Sequence, residues 1–463
     1  MTSLLRGDRN RVRAVRRIAP GPRGLPGLGL TLDLWKDPIQ TALDLWRQYG
    51  DVVRVPMAWP IFGHIVVHPD HVKYVVQDNN HNYPKVARFY DPLKALVGDG
   101  LLTSEGDLWL HQRRMMQPAF HHQRLAELGT IMVETAAEMC ERWEVLAERR
   151  QSFDVFGEMM RLSLSTVASA LFGADVRRQA AEITDAVTIG MDFVIKRITS
   201  ICPLPLGLPL PRHRRFLSAR HVLDSIVYRI IQQRRNSGAD TGDLLSMLLH
   251  LQDEETGERM SDRQLRDEII TIFLAGHETT AVALSWTWYL LSKYPDCARL
   301  LRAELSEVLG GRPPTVQDLP RLKYTAMVLQ EAMRLYPPFY GSARMPLADD
   351  EIGGYHIQAG RPVFITTFLT HRHPAFWVNP EGFDPERFSA EHSAGRPRYA
   401  YFPFLGGPRQ CIGNSFAMME MQLVLATVAQ RYRLDLVPGH PIGFRPMITL
   451  RPRYGMHMTV SKV

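Results

Sequence analysis

The chain has 463 residues, 45% hydrophobic and 22% charged, with a formal net charge of +7, enough apolar material for a large core. Its four cysteines, Cys140, Cys202, Cys297 and Cys411, are scattered without a CxxC pair, which argues for a reducing compartment and against a disulfide framework or zinc ribbon. Residues 1–23 hold seven arginines against one acid, Asp8, so nearly all the excess charge sits in this tail. The body is close to neutral and is not a nucleic-acid scaffold. Three readings of the tail stay open: a solvated arm, a contact with a membrane surface, or a targeting peptide, although it lacks the apolar core of a signal peptide. No run of about 18 apolar residues is evident, so no spanning helix is expected.

After the tail, Pro20–Gly29 is too rich in Pro and Gly for regular structure. Asp51–Pro56 and His64–His68 are short β-branched runs that predict a hairpin. From about residue 106 to 335 the pattern is mainly helical, broken by the Pro/Leu-rich stretch 202–211, which must be loop. Ser261 followed by Gln264 marks a capped helix start. That helix runs to Lys293, before Tyr294-Pro295, about 33 residues or roughly 50 Å. A second helix spans about Pro295 to Gly310, and a third about Leu322 to Leu335. Residues 340–405 read as extended and looped, and a helix after Cys411 ends near Arg431.

Four patterns carry chemistry. Phe404-Leu-Gly-Gly-Pro-Arg-Gln-Cys-Ile-Gly413 puts Cys411 in a glycine-flanked loop at the mouth of an apolar helix, with Arg409 two positions before. A helix N-terminus and a cation both lower a thiol's pKa, and a thiolate among backbone donors suits iron. Ala275-Gly-His-Glu-Thr-Thr280 lies mid-way along the long helix, where small residues let a flat group approach and an acid and a hydroxyl follow. Burying that acid costs several kcal/mol unless it finds partners; the plainer reading is a kinked helix with its Thr hydroxyls bonded to the preceding turn. Glu331 and Arg334 share one helical face, as do Trp109 and Arg113, and either pair alone is a weak signal.

Together these motifs, with Pro385-Glu-Arg-Phe388, resemble the cytochrome P450 family, in family order over nearly the whole chain past residue 20. The resemblance implies a mainly α fold with a small β-rich lobe, triangular in outline, with a long central helix over a buried haem. It implies a basic, Pro/Gly-rich arm at 1–30 and a single haem domain at 31–463. The cofactor implied is heme b (iron protoporphyrin IX), with Cys411 as the axial thiolate and metal ligand. Phe404 is implied to pack near the sulfur, Gly413 to admit the backbone, and Ala275 to admit the ring. Trp109, Arg113, Arg344 and Arg409 are implied to hold the propionates. Glu278 and Thr279 are the implied catalytic pair, the acid relaying protons and the hydroxyl bonding dioxygen or its ordered water. Glu331, Arg334 and Arg387 are implied to form a buried structural triad. His277 is expected in a surface or inter-helix hydrogen bond, and His121, His122, His371 and His373 are read as structural.

The function implied is a monooxygenase that inserts one oxygen atom of O₂ into a lipophilic molecule by hydroxylation or epoxidation. Leu101, Leu102, Phe89, Ala275, Phe339, Tyr340, Met447 and Ile448 are candidate pocket residues, all apolar, as a fatty acid or terpenoid substrate requires. The stretch 203–210 is read as part of an access lid. No flavin, nicotinamide or iron–sulfur segment is found, so electrons are expected from a separate ferredoxin or flavodoxin with its reductase. Arg113, Arg114, Arg124, Arg396 and Arg398 are candidates for its docking face. The expected location is cytoplasmic, with peripheral membrane contact through the arm left open. A peroxide-driven haem-thiolate enzyme and a non-enzymatic haem sensor or electron carrier remain as rivals.

Overall fold

The structure is a computed structural model that describes residues 17–120, 128–173, 180–198, 200, 203–238, 240–252 and 257–463. The tail to residue 16, His121, His122, Arg124 and Cys202 lie outside the described residues. The chain forms two compact units, Met1–Pro84 with Ser342–Thr366, and Lys85–Gly341 with Thr367–Val463.

The first unit is built on a four-stranded sheet. Val52–Pro56 pairs antiparallel with Phe62–Val66 as the β-branched runs predict. Phe62–Val66 then runs parallel to Val363–Ile365, which pairs antiparallel with Ser342–Arg344. Val53, Val66 and Val363 are fully buried on this sheet. The Pro/Gly-rich stretch before it is irregular but tied down: Arg54 N–H donates to Pro20 O at 2.8 Å and Leu30 N–H to Pro56 O at 2.8 Å. A Cβ on Gly21 would lie 2.0 Å from Arg54 O, so the glycine is what permits this close approach.

The second unit is organised around the long helix Asp262–Lys293. Ser261 caps it, its Oγ accepting from Gln264 N–H at 3.2 Å, and it stops at Tyr294 because Pro295 opens the next helix. Nearly every face is buried, against helices Val155–Phe172, Pro211–Ser237, Lys323–Leu335 and Asn414–Ala429. A helix apolar all round belongs in the centre of a large protein. It is also long and apolar enough to cross a membrane, with mean hydropathy 1.3 in its most apolar window, but 78% of that window is buried inside the protein. It is not an unbroken apolar run, since His277 and Glu278 lie within it, and it forms the core.

One apolar cluster gathers Trp143, Met159, Trp286, Val328 and Val424, with Trp286 stacked on Tyr336 at 4.2 Å and 9°. A second gathers Phe216, Leu223, Leu265, Ile269 and Phe273 nearer the helix start. Each such side chain contributes roughly 1.5–3 kcal/mol when buried. The helix Pro295–Leu309 ends on Gly310 at φ +57°, as the Gly-Gly signal indicates. A sheet of Ser152–Asp154, His457–Lys462 and Tyr432–Leu436 closes this unit and has no clear signal in the sequence. The stretch 203–210 is irregular, with Leu204 and Leu208 exposed.

Candidate active site

The Cys411 loop is shaped by two glycines. Gly407 takes φ +65°, and a Cβ on Gly406 would lie 2.3 Å from the Tyr399 ring, whose hydroxyl accepts from Gly407 N–H at 2.9 Å. Cys411 N–H donates back to Phe404 O at 3.0 Å, closing the loop just before the helix Asn414–Ala429. Phe404 is half-buried against the first apolar cluster. Nothing but the Cys411 sulfur, at 4.0 Å, lies near a Cβ built on Gly413.

The residue Cys411 is open to solvent, yet its sulfur is hemmed by protein. Burial pushes the thiol up from its ordinary value, outweighing the Gly413 amide and the Arg113 charge, which pull it down. The amide at the helix mouth and the cation lower the pKa as the sequence indicates, and desolvation opposes them with the larger effect. A bound metal deprotonates such a thiol outright.

The WxxxR and Cys-loop residues meet. Arg113 Nη1 donates to Gln410 O at 2.9 Å. The Arg409 guanidinium stacks 3.8 Å from the Trp109 ring, donates to Ser104 O at 3.0 Å, and pairs with Glu105. Arg344 lies buried in the strand Ser342–Arg344 of the first unit.

On the long helix, Ala275 is exposed although Leu274, His277 and Glu278 around it are buried, and Thr279 one turn on is half-buried. The exposed Ala275 between buried neighbours, and the exposed Cys411 in a loop of half-buried ones, fit a flat group with a cysteine ligand. The Thr279 hydroxyl donates to Ala275 O at 2.7 Å, the back-bonded geometry. Glu278 points elsewhere. Its Oε1 accepts from Arg451 Nε at 2.6 Å and from the Thr449 hydroxyl, and its Oε2 from Arg451 Nη2. Burial pushes the Glu278 carboxyl up, but the bonds and charge of Arg451, with Thr449, outweigh it and hold the pKa below the ordinary value. The structure therefore does not bring Glu278 and Thr279 onto one hydrogen-bonded path. Instead Glu278 fastens the segment carrying Met447 and Ile448, where Tyr340 also donates to Met447 O at 2.9 Å.

His277 is buried and hydrogen-bonded to the backbone at Met160 of a neighbouring helix, and burial lowers its pKa to about 4. His371 is fully buried, its Nε2 accepting from Phe402 N–H at 2.8 Å. The triad is built as expected. Arg334 donates from Nε to Glu331 Oε2 at 2.7 Å and from Nη2 to Oε1 at 2.8 Å, both side chains wholly buried, and Arg387 Nε lies 3.3 Å from Glu331 Oε1. Arg334 also donates to the carbonyls of His371, Pro380 and Gly382, tying the loop that leads to Cys411.

Sequence reasoning missed Arg451 and Thr449 as partners of Glu278, because nothing in the sequence relates positions 171 and 173 residues apart. It also missed Glu420, buried on the Asn414–Ala429 helix beside Thr280 and Thr166. Burial, opposed by the hydroxyls of Thr280 and Thr166, pushes that carboxyl up to about 8, and among the described residues its Oε1 has no hydrogen-bond partner. Its signal was an acid inside an otherwise apolar helical run.

The comparisons with known proteins agree with this geometry. The family model "Cytochrome P450" matches residues 19–457. The chain is 37% identical over 435 residues to cyclooctatin synthase of Streptomyces melanosporofaciens, covering 94% of this chain and 93% of that one. It is 35% identical over 422 residues to cyclooctat-9-en-7-ol 5-monooxygenase of the same organism, covering 90% of each. Among solved structures it resembles the cytochrome P450DA heme domain, with TM-score 0.87, 28% identity and 97% and 98% of the two chains covered. It also resembles a cyanobacterial relative with retinoic acid bound, with TM-score 0.86, 25% identity and 97% and 100% covered. The chain thus has the fold of that family, mainly α with small sheets, and its cofactor is haem with an axial cysteine. The chain belongs to the cytochrome P450 family, and it is a monooxygenase.

Proposed function

We propose that this chain hydroxylates or epoxidises a lipophilic terpenoid, with Cys411 as the haem's axial ligand and electrons from a separate ferredoxin or flavodoxin. The observation that carries the site assignment is the exposed Ala275, set between buried Leu274 and His277 on the long helix, together with the exposed Cys411 in a glycine-shaped loop of half-buried neighbours. Two relatives, cyclooctatin synthase and cyclooctat-9-en-7-ol 5-monooxygenase, support a terpenoid over a fatty acid. The partly buried Leu101, Leu102 and Ile448, packed on the second apolar cluster, support a lipophilic occupant.

Bound haem with a thiolate ligand supplies dioxygen activation; the protein supplies the rest. Trp109, Arg113 and Arg409 are assigned to the propionates, where fixed cations suit carboxylates. Arg409 is already oriented by Glu105 and Trp109, so little ordering remains on binding. Thr279, its proton on Ala275 O, keeps lone pairs free to accept from water at the bare helix face. Glu278 is assigned to proton delivery, which requires its carboxylate to leave Arg451 for water; Arg451 is 27% exposed and gives that water access. Arg114 and Arg398, exposed, with Arg113 and Arg396 beside them in sequence, are assigned to donor docking. The unbridged Cys140, Cys297 and Cys411 support a cytoplasmic location.

The test is to titrate the haem-loaded protein with cyclic diterpene alcohols and with long-chain fatty acids, following the haem spin state. Turnover is then driven by a ferredoxin or flavodoxin system or by peroxide. The expected result is a spin shift with diterpenes and donor-dependent product. Turnover with peroxide alone contradicts the electron-donor reading, and a shift with fatty acids alone contradicts the terpenoid one.

A further inference from the structure

The segment Gly98-Asp-Gly-Leu-Leu-Thr103 docks on the long helix through two neighbouring acids. Asp99 N–H donates to Asp267 Oδ2 at 2.9 Å, and Leu101 N–H donates to Glu268 Oε2 at 2.9 Å. Its glycines follow from this docking. Gly98 takes φ +77°, and a Cβ there would lie 2.1 Å from Asp267 Oδ1; a Cβ on Gly100 would lie 2.3 Å from Thr271 Oγ1. The far end is fastened separately, Ser104 O accepting from Lys85 Nζ at 3.1 Å and from Arg409 Nη1 at 3.0 Å. The segment's carbonyls are held from elsewhere, Asp99 O by Gln112 Nε2 at 2.5 Å and Leu102 O by Lys85 Nζ at 2.6 Å, so the two acids are what hold the amides of Asp99 and Leu101 to the long helix.

The acids differ in their partners. Arg266 pairs with Asp267 at 2.8 Å and with Asp224 of the helix Pro211–Ser237 through Nε at 2.7 Å. From that same helix Arg220 donates to Ala95 O at 3.3 Å, and on the segment side Lys94 pairs with Asp99 at 2.5 Å. Glu268 pairs with no cation among the described residues, is fully buried, and keeps one oxygen, Oε1, without a hydrogen-bond partner. A buried carboxyl without a cation is far cheaper to hold neutral than charged. Burial, with the Asp267 charge adding and the Leu101 amide opposing, pushes Glu268 up to about 8.

We propose that Glu268 is a proton-dependent latch, a positioning residue that seats the 98–102 segment on the long helix most tightly while its carboxyl is protonated. Its bearing on substrate rests on the reading of Leu101 and Leu102 as pocket residues; the latch itself does not. Lifting the segment returns Glu268 to water and towards the ordinary 4.5, whereas closure holds it near 8. Closure thus takes up a proton between those values. The closed state is favoured at low pH and loses about tenfold per pH unit through that window, levelling off above it.

The test is amide exchange at Asp99 and Leu101 in the haem-loaded enzyme from pH 6 to 9, corrected for intrinsic rates. In the wild type, protection is expected to fall by up to about tenfold per unit from pH 6 to 8 and then flatten. Glu268→Gln keeps the acceptor and the shape without titrating, so its protection stays high and flat. Glu268→Ala loses protection at Leu101 at every pH, and Asp267→Asn, which removes a charge that raises the Glu268 pKa, keeps a slope at Leu101 but flattens at lower pH than the wild type. Flat wild-type protection from pH 6 to 8 overturns the proposal, as does a Glu268→Gln slope equal to the wild type. Because exchange is read without turnover, failure here is separate from failure of the terpenoid reading.

Discussion

Glu331 and Glu278 are both buried carboxylates gripped by arginine, yet their surroundings differ in the way that separates scaffold from chemistry. Glu331 is held by Arg334 three residues along one helix, with both side chains fully buried, Arg387 at 3.3 Å and the Asp384 amide at 3.0 Å. Both carboxylate oxygens accept from fixed donors, and the Glu331 and Arg334 side chains are wholly buried. Glu278 is held by an arginine from a distant strand that is 27% exposed, on a helix face one residue from the half-buried Thr279. A sealed pair holds a loop in place; a pair with a path to water can change partners. The same residue types serve a frame in one place and an adjustable position in the other.

The largest effect expected from breaking this contrast comes at the sealed pair. Glu331→Ala leaves Arg334 charged and uncompensated in the core, and is expected to cost about 3–5 kcal/mol in denaturant unfolding, with loss of haem binding. A loss below about 1 kcal/mol would remove the distinction. Arg451→Ala should be milder, about 1–3 kcal/mol, because water can replace part of the lost pairing. Its signature is in pH. Arg451 and Thr449 hold the Glu278 pKa below the ordinary 4.5, so that stabilisation is present above 4.5 and lost as pH falls through the folded value. Without Arg451 the acid limb of stability should move to higher pH; an unmoved limb means that Glu278 is held by something else. Thr279→Ala should change stability by less than about 0.5 kcal/mol, since it removes only a back-bonded hydroxyl. Its effect should appear as oxygen consumed without product, and full coupling in this variant contradicts the assignment.

Local signals made the frame legible in the sequence. Ser261 with Gln264, the Tyr294-Pro295 stop and Gly310 set helix ends within a turn of the residues that encode them. Glu331 and Arg334 sit on one helix, and the Cys411 loop is a run of ten residues closed on itself by the Cys411–Phe404 hydrogen bond. What stayed hidden depends on partners brought together by folding. Arg451 meets Glu278 across 173 residues, and Asp267 and Glu268 receive the 98–102 segment from 167 or more residues away. Ser152–Asp154 is three residues long and pairs only with the C-terminal strand His457–Lys462. At Cys411 the pull of helix mouth and cation is legible in the sequence, but desolvation by surrounding chain is not.

The central claim is that Cys411 supplies the thiolate to the haem, and the reduced, carbon monoxide-bound spectrum reads this directly. The wild type should give the red-shifted Soret band characteristic of a thiolate ligand, and Cys411→Ser should lose that shift while still folding around the same long helix. A wild-type spectrum without the shift, or a Cys411→Ser spectrum that retains it, contradicts the account.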